Sequence, residues 1–122
     1  MPADLYPHRP LGADPDGCHV IIAPSRAGWD QLAMGEWQLT HSGFGDCHPH
    51  DEVNYVVEGL LEVDCDGVRV SAGPGDVVRV PAGRPAYYHA PEHARMLYVY
   101  GPNPQGLPSW SFDDRSRVAP PS

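Results

Sequence analysis

Short apolar runs with a period of two residues, separated by turn residues, are the feature that most constrains the fold of this chain. Successive side chains of a strand point to opposite faces of the sheet, so such runs favour strands over helices. Seven runs lie at residues 36–40, 52–57, 60–65, 68–71, 77–80, 86–89 and 96–100. Seven short strands at this spacing predict an all-β sandwich or barrel.

Turn residues between the runs support the same prediction. Asp66 and Gly67 separate the runs 60–65 and 68–71. Both central positions of a two-residue hairpin turn require a positive φ, which glycine adopts without steric cost. We therefore predict a tight hairpin at this point.

Prolines mark the two ends of the chain. Ten of the fifteen prolines lie in residues 1–24 and 102–121, where they disfavour regular strands. We predict an N-terminal arm over residues 1–34 with an edge strand at 20–23, a barrel over residues 35–101, and an irregular C-terminal tail over residues 102–122.

Composition narrows the function. With 122 residues the chain is expected to form one domain. The net charge is -8 and all eight basic residues are arginine, which argues against binding to nucleic acid and excludes a lysine Schiff base. An odd set of three cysteines, without a charged leader or a long apolar run, predicts a cytoplasmic protein that does not enter a membrane.

The densest group of metal-binding residue types lies in residues 46–59, against a run that is typical of a strand. Residues two apart on a strand share a face, so Asp46 and His48 point the same way, as do Glu52 and Asn54. Asp46, His48 and Glu52 are therefore able to converge inside a barrel. Imidazole and carboxylate groups in this arrangement predict a divalent metal site.

The same residues resemble the first motif of the cupin superfamily, G(X)5HXH(X)3-4E(X)6G. Glu52 and Gly59 match its glutamate and last glycine, which puts its two histidines at Asp46 and His48. In cupins these histidines and the glutamate bind a divalent metal inside the barrel. By this resemblance His48 and Glu52 have ligand roles, and Asp46 replaces one histidine with an oxygen ligand that still suits Zn, Fe, Mn or Ni.

A second stretch resembles the second cupin motif, G(X)5PXG(X)2H(X)3N. Gly75, Pro81 and Gly83 match, whereas Ala86 occupies the histidine position. The two motifs and the runs between them cover about residues 35–101. The resemblance implies a single-domain cupin-type β-barrel, which is a double-stranded β-helix similar to a jelly roll.

The fourth metal ligand is left open, because Ala86 has no donor atom. Three other histidines lie near the motifs. His50 lies within the first motif, His41 lies on the strand before it, and His89 would face inward if a bulge at residues 87–88 turned the strand.

The chain is also similar to cupins of the ethanolamine-utilisation type, which lack the usual histidines, over residues 51–59 and 94–100. This resemblance implies a metal-free design as the alternative. The barrel would then be a binding or accessory module whose pocket, lined by Trp37, Asn54 and Tyr88, holds a small ligand.

For the metal-bound alternative we predict an enzyme that acts on a small polar metabolite by Lewis-acid chemistry, as an isomerase, cyclase or lyase does. The predicted catalytic residues are Glu52 and Tyr88. The predicted substrate-binding residues are Asn54, Trp37, Tyr88 and Arg84, with Arg84 able to hold a carboxylate through two hydrogen bonds. A non-haem iron dioxygenase is a second alternative, which fits less well because it needs two histidines and one carboxylate.

The last run is apolar on both faces. Met96, Tyr98 and Tyr100 share one face, and Leu97 and Val99 share the other. A strand that is covered on both sides predicts burial against a second subunit, so we expect a homodimer.

Overall fold

The computed structural model describes residues 3–23 and 31–113, and parts of the predicted arm and tail fall outside these ranges. The described residues form eight strands and no helix. In chain order the strands are β1 (Cys18–Ile22), β2 (Ala33–Cys47), β3 (Glu52–Gly59), β4 (Leu61–Cys65), β5 (Val68–Ala72), β6 (Val77–Val80), β7 (Ala86–Tyr100) and β8 (Trp110–Phe112). The all-β prediction is therefore confirmed, and the described part contains no helix that could cross a membrane.

Strand β7 is the centre of an antiparallel sheet with the order β1-β2-β7-β3-β6. It pairs with β2 along nearly its whole length, with β4 through its first half and with β3 through its second half. β5 extends β4, and β8 pairs with the end of β2. Because β4 and β3 follow one another along the same edge of β7, the sheet curves around an enclosed core.

The core is filled by alternate residues of these strands. On β7 the buried positions are Ala86, Tyr88, Ala90, Ala94, Met96 and Tyr98. The largest fully buried apolar and aromatic side chains are Tyr88, Leu61, Met96, Val56 and Val63. Each such side chain contributes about 1.5–3 kcal/mol through removal from water, so the barrel interior is the main source of stability.

The structure corrects the predicted break between runs 86–89 and 96–100, which belong to the single strand β7. Pro91 lies inside this strand, although a proline has no backbone N–H to donate to a neighbouring strand. It is accommodated because β7 bulges here: Pro91 and Glu92 lie opposite the single residue His41 of β2, which has φ 48. The Nδ1 atom of His41 lies 2.7 Å from the carbonyl oxygen of Pro91 and ties β2 to the bulge.

Two local predictions at the other strands are confirmed. Asp66 and Gly67 have φ 52 and φ 75, as a two-residue hairpin turn requires, and they join β4 to β5. The edge strand expected at residues 20–23 is β1, which begins two residues earlier at Cys18.

The tail that was expected to be irregular contributes β8, which is a correction. Phe112 is buried over Gly45 of β2, where a Cβ atom would clash with the phenyl ring. Before β8, Asn103 closes a loop through two hydrogen bonds with Leu107: its Nδ2 donates to the carbonyl oxygen at 2.9 Å, and its Oδ1 accepts from the backbone N–H at 3.1 Å. Packing of distant residues, rather than local periodicity, therefore makes this strand.

Candidate functional site

Asp46, His48 and Glu52 come together in the barrel pocket. Asp46 lies near the end of β2, Glu52 begins β3, and His48 lies in the connection between them. One ligand atom of each lies within 4.8 Å of the other two, with His48 Nε2 at 3.0 Å from Asp46 Oδ2 and 2.8 Å from Glu52 Oε2. Nε2 of His48 therefore lies between the two carboxylates, in hydrogen-bond geometry with Asp46 and in a close ion pair with Glu52 Oε2.

The charges of this triad favour a protonated imidazole. Burial lowers the pKa of His48, but hydrogen bonding and attraction from Asp46 and Glu52 together outweigh it and raise the pKa to about 10. Burial raises the pKa of Asp46, and the hydrogen bond from His48 offsets part of that effect. A divalent ion would replace the Nε2 proton, because an imidazole binds metal through a neutral nitrogen.

A chain of hydrogen bonds orients Glu52. The Nδ2 atom of Asn54 donates to Glu52 Oε1 at 3.1 Å, and Trp37 Nε1 donates to Asn54 Oδ1 at 2.8 Å. Asn54 and Glu52 are both buried. One oxygen of Glu52 is therefore held by Asn54, while the other faces His48.

Tyr88 adds a buried oxygen without a partner. Its side chain has no exposed surface, and its hydroxyl has no hydrogen-bond partner among the described residues. Its ring packs edge-on against Trp37, with ring centroids 5.4 Å apart. Burial, and then the charges of Glu52 and Asp46, raise the pKa of Tyr88 well above its usual value, so the phenol stays protonated. Such an orphaned hydroxyl costs about 1–3 kcal/mol, so it lowers the stability of the barrel interior.

A cavity of about 370 Å³ opens onto the triad. Its aromatic wall consists of Trp37, Phe44, Tyr98 and Tyr100, and its charged groups are Asp16, Asp46, Glu52 and His48. The volume suits a small metabolite. Because carboxylates outnumber cationic groups in this wall, an anionic group of a ligand needs an added cation in order to bind here.

The residues present fit a divalent transition metal. Two donor atoms at right angles around an ion, each about 2.1 Å from it, lie about 3 Å apart. The donor separations in the triad are 3.0 and 2.8 Å. One imidazole and two carboxylates suit Zn, Fe or Mn, and the Glu52 Oε2 atom that faces His48 is buried.

His50, a predicted fourth ligand, lies beside the triad but outside it. Its Nδ1 atom lies 3.2 Å from the carbonyl oxygen of Asp51, and its ring stacks against His48 and Tyr100 with centroid distances of 4.8 and 4.6 Å. Burial lowers the pKa of His50, so the ring is neutral at pH 7. The structure therefore gives His50 a packing position against the face of His48.

His89 is the second histidine that the structure does not bring to the triad. The expected bulge at residues 87–88 is absent, since β7 pairs in regular register with β4 from Ala86 to His89. His89 consequently faces away from the pocket, with its Nδ1 atom 3.2 Å from Glu62 Oε1. Ala86 lies directly opposite Asp46 on β2 and offers no ligand atom.

Arg84 lies away from the cavity wall. Its guanidinium donates from Nη1 to Asp66 Oδ2 at 3.1 Å, in the turn between β4 and β5. Arg84 and Asp66 thus form an exposed ion pair on the surface. The structure does not place Arg84 where it was predicted to hold a substrate carboxylate. Among the other predicted substrate-binding residues, Trp37 lines the cavity, whereas Asn54 and Tyr88 are fully buried and lie outside its wall, which corrects the predicted pocket lining.

Several residues of the pocket were not singled out from the sequence. Asp16, Cys18 and Phe44 line the cavity, and Ser109 Oγ lies 2.7 Å from His48 Nδ1. Ser109 is 61 residues from His48 in the chain. Strand periodicity carries no information about which distant segment covers the end of a strand, so no sequence signal was available for it.

Comparison with solved structures identifies the class of protein. Chains solved as cupin-superfamily proteins share this fold. The DMSP lyase DddQ from Ruegeria pomeroyi DSS-3 matches with a TM-score of 0.66 and 22% identity, over 88% of this chain and 58% of that chain. At such identity the likeness establishes the fold, so the protein is an all-β cupin.

The sequence then identifies the family. Residues 25–105 match the family model described as ethanolamine utilisation protein EutQ, and the chain belongs to this family. A curated relative, acetate kinase EutQ from Clostridioides difficile (strain 630), is 32% identical over 72 residues, which is 59% of this chain and 46% of the relative. The crystal structure of an ethanolamine utilization protein Q from Salmonella typhimurium LT2 matches with a TM-score of 0.61 and 30% identity, over 79% of this chain and 78% of that chain. The chain spans less than half the length of the curated relative that it matches.

Proposed function

We propose that this chain is a cupin enzyme that binds a divalent transition metal through Asp46, His48 and Glu52. It would act on a small polar metabolite with the chemistry of an isomerase, cyclase or lyase. The observation that carries the proposal is the converging, largely buried donor set, in which Nε2 of His48 lies 3.0 Å from Asp46 Oδ2 and 2.8 Å from Glu52 Oε2. A lyase among the proteins that share the fold is consistent with this chemistry at the level of the fold.

A bound ion would supply Lewis-acid activation of a carbonyl or carboxylate oxygen of the metabolite. The protein residues position the metabolite. The metabolite would bind against Trp37, Tyr98 and Tyr100, which line the cavity, whereas Tyr88 is fully buried and lies outside the cavity wall. Asn54 holds Glu52 in place, and Trp37 and Phe44 form part of the apolar wall of the pocket.

The test compares the wild-type chain with His48→Ala, both without a tag and after treatment with a chelator. Zn, Mn, Fe or Ni ions are expected to raise the melting temperature of the wild type, because an ion at 100 times its Kd stabilises the folded state by about 2.7 kcal/mol. His48→Ala is expected to lose this response and to retain no stoichiometric metal in elemental analysis.

His89→Ala is the matched control, because it removes an imidazole that binds Glu62 outside the triad. It is expected to keep the full metal response of the wild type. A wild-type chain that neither carries an ion nor responds to any of the four would overturn the proposal, as would an undiminished response in His48→Ala.

A metal-free binding module is the second candidate, and the charge balance of the pocket favours it. With a pKa of about 10, His48 is protonated at neutral pH and neutralises one of the two carboxylates without an ion. A small ligand would then bind in the cavity against Trp37 and Tyr100, and its affinity would be the same with and without chelator. An affinity that falls on chelation would exclude this candidate.

Two other activities have less support from the site. An iron dioxygenase needs a second imidazole, and the nearest one, His50, lies against Asp51 and Tyr100. The curated relative is named as an acetate kinase, and this name indicates phosphoryl transfer by that relative. The carboxylates in this cavity wall would repel a phosphate unless a cation were bound between them.

The proposal includes a homodimer in a reducing cytoplasm. A groove of about 760 Å³ on the outer face of the sheet, away from the triad, is lined in part by Ile21, Met34 and Leu97, and a second copy of the chain would cover such an apolar face. Light scattering on the purified chain is expected to give the mass of a dimer, and a monomer mass would contradict the proposed dimer.

The proposed reducing compartment is consistent with the cysteines, since Cys18, Cys47 and Cys65 form no disulfide with one another.

A further inference from the structure

We propose that Ser109 is a positioning residue for His48, which holds the Nδ1 edge of the imidazole so that Nε2 faces the two carboxylates. Ser109 Oγ lies 2.7 Å from His48 Nδ1, while Nε2 lies 3.0 Å from Asp46 Oδ2 and 2.8 Å from Glu52 Oε2. This inference rests on the proposed function, because the orientation matters most when Nε2 serves as a metal ligand.

The chemistry of the imidazole assigns the direction of this hydrogen bond. An imidazole that binds an ion through Nε2 carries its proton on Nδ1, and this N–H needs an acceptor. Ser109 Oγ is the oxygen within hydrogen-bond distance of Nδ1. By accepting the Nδ1 proton, Ser109 favours the tautomer in which Nε2 offers its lone pair to an ion.

Stacking alone does not select this orientation of the ring. Tyr100 lies parallel to His48, with an interplanar angle of 1° and a centroid distance of 5.7 Å, and His50 stacks at 4.8 Å. Stacked contacts fix the plane of an imidazole, but a ring flipped by 180° makes nearly the same contacts. Polar contacts therefore select the orientation: the hydrogen bond to Ser109 holds the Nδ1 edge, and Asp46 and Glu52 hold Nε2 on the other side of the ring.

Strand β8 brings Ser109 to this position. Trp110 pairs with Cys47, and continuing the same antiparallel register by one residue places Ser109 opposite His48. Phe112, buried over Gly45, anchors the strand on β2. The C-terminal segment is therefore part of the site, although it lies outside the cupin motifs.

Metal affinity tests the positioning role. Ser109→Ala is expected to weaken binding of Zn or Co ions by about 10- to 100-fold, the usual effect of removing a group that orients a metal ligand. Ser109→Thr retains the hydroxyl and is expected to restore affinity. Ser111→Ala is the matched control, because Ser111 lies on the same strand opposite Asp46 and is exposed, and its affinity should equal that of the wild type.

A second measurement needs no metal and separates this inference from the proposed function. In the metal-free wild type and Ser109→Thr, His48 Hδ2 is turned away from residue 109, so we expect no NMR cross-relaxation between Hδ2 and the β protons of that residue. Ser109→Ala is expected to show this signal in part of the molecules, because the flipped ring is then opposed only by the contacts of Nε2 with Asp46 and Glu52. A silent Ser109→Ala spectrum together with wild-type metal affinity would overturn the positioning role. If no chain binds an ion, the proposed metal function fails, and the NMR comparison alone decides whether Ser109 orients the ring.

Discussion

Two carboxylate clusters lie on opposite faces of the same sheet, and each is neutralised by a different kind of cationic side chain. In the pocket, Asp46 and Glu52 face the imidazole of His48. On the outer face, Glu36 and Glu58 face the guanidinium of Arg95, which lies 3.3 Å from Glu58 through its Nε atom. Each cluster therefore has two acids around one central base, and in the outer cluster His19 also contacts Glu36 and His93 also contacts Glu58.

The difference between the clusters is whether the base can release a proton. Arginine stays protonated in proteins, and hydrogen bonds to Glu36 and then Glu58 raise the pKa of Arg95 further. Histidine can exchange its proton for a metal ion near neutral pH. The outer cluster thus keeps a permanent cation between its two carboxylates, whereas the base between the pocket carboxylates can exchange its proton for an ion.

The largest expected effect is on the outer cluster. Arg95→Met leaves the carboxylate of Glu36, which is 4% exposed, without its permanent cation. Breaking a buried ion pair costs about 3–5 kcal/mol, and we expect the lower value because Arg95 is itself partly exposed. Urea unfolding of the two chains measures the loss, and the metal response of the variant is expected to remain.

Arg79→Met is the matched control for this prediction. Arg79 and its partner Asp51 are 63% and 43% exposed, and exposed pairs contribute little to stability. The unfolding midpoint should stay nearly unchanged. Equal losses in the two arginine variants would contradict the contrast between a buried and an exposed pair.

A smaller effect, of opposite sign, is expected in the pocket. Tyr88→Phe removes a buried hydroxyl that has no partner in the described protein, so we expect the metal-free chain to gain about 1 kcal/mol in stability. Tyr98→Phe is the control, because the Tyr98 hydroxyl forms a hydrogen bond with Cys18 and its removal brings no such gain. Thermal unfolding measures both changes. Destabilisation by Tyr88→Phe would show that its hydroxyl is satisfied.

These contrasts also show which parts of the site a sequence can predict. Asp46, His48 and Glu52 lie within one short stretch, so strand alternation and the cupin motif were enough to predict that they converge. The direction in which His89 points depends on whether β7 bulges at residues 87–88. Pairing with β4 keeps β7 regular from Ala86 to His89, so His89 faces away from the pocket. Local patterns do not report the pairing partner that decides such a bulge.

Ser109 and the outer cluster show the same limit more strongly. Ser109 reaches His48 because Phe112 packs on Gly45 and fixes the register of β8. Glu36 and Arg95 meet across the pairing of β2 with β7, 59 residues apart in the chain. The fold class follows from local periodicity, whereas contacts between distant strands follow from packing that periodicity does not encode.

The smallest expected effect is on the acid side of the stability profile. Hydrogen bonds from His93 and then Arg95 lower the pKa of Glu58 from its ordinary value of 4.5. The folded chain therefore takes up this proton less readily than the unfolded chain, so the stabilisation is present above pH 4.5 and is lost as the pH falls through the lowered pKa. Because the side chain of Glu58 is 52% exposed, the contribution is below about 0.5 kcal/mol. In urea unfolding from pH 3 to 7, Glu58→Gln should reduce the fall in the free energy of unfolding at acid pH by this amount. A larger change would show that Glu58 behaves as a buried carboxylate, like Glu36.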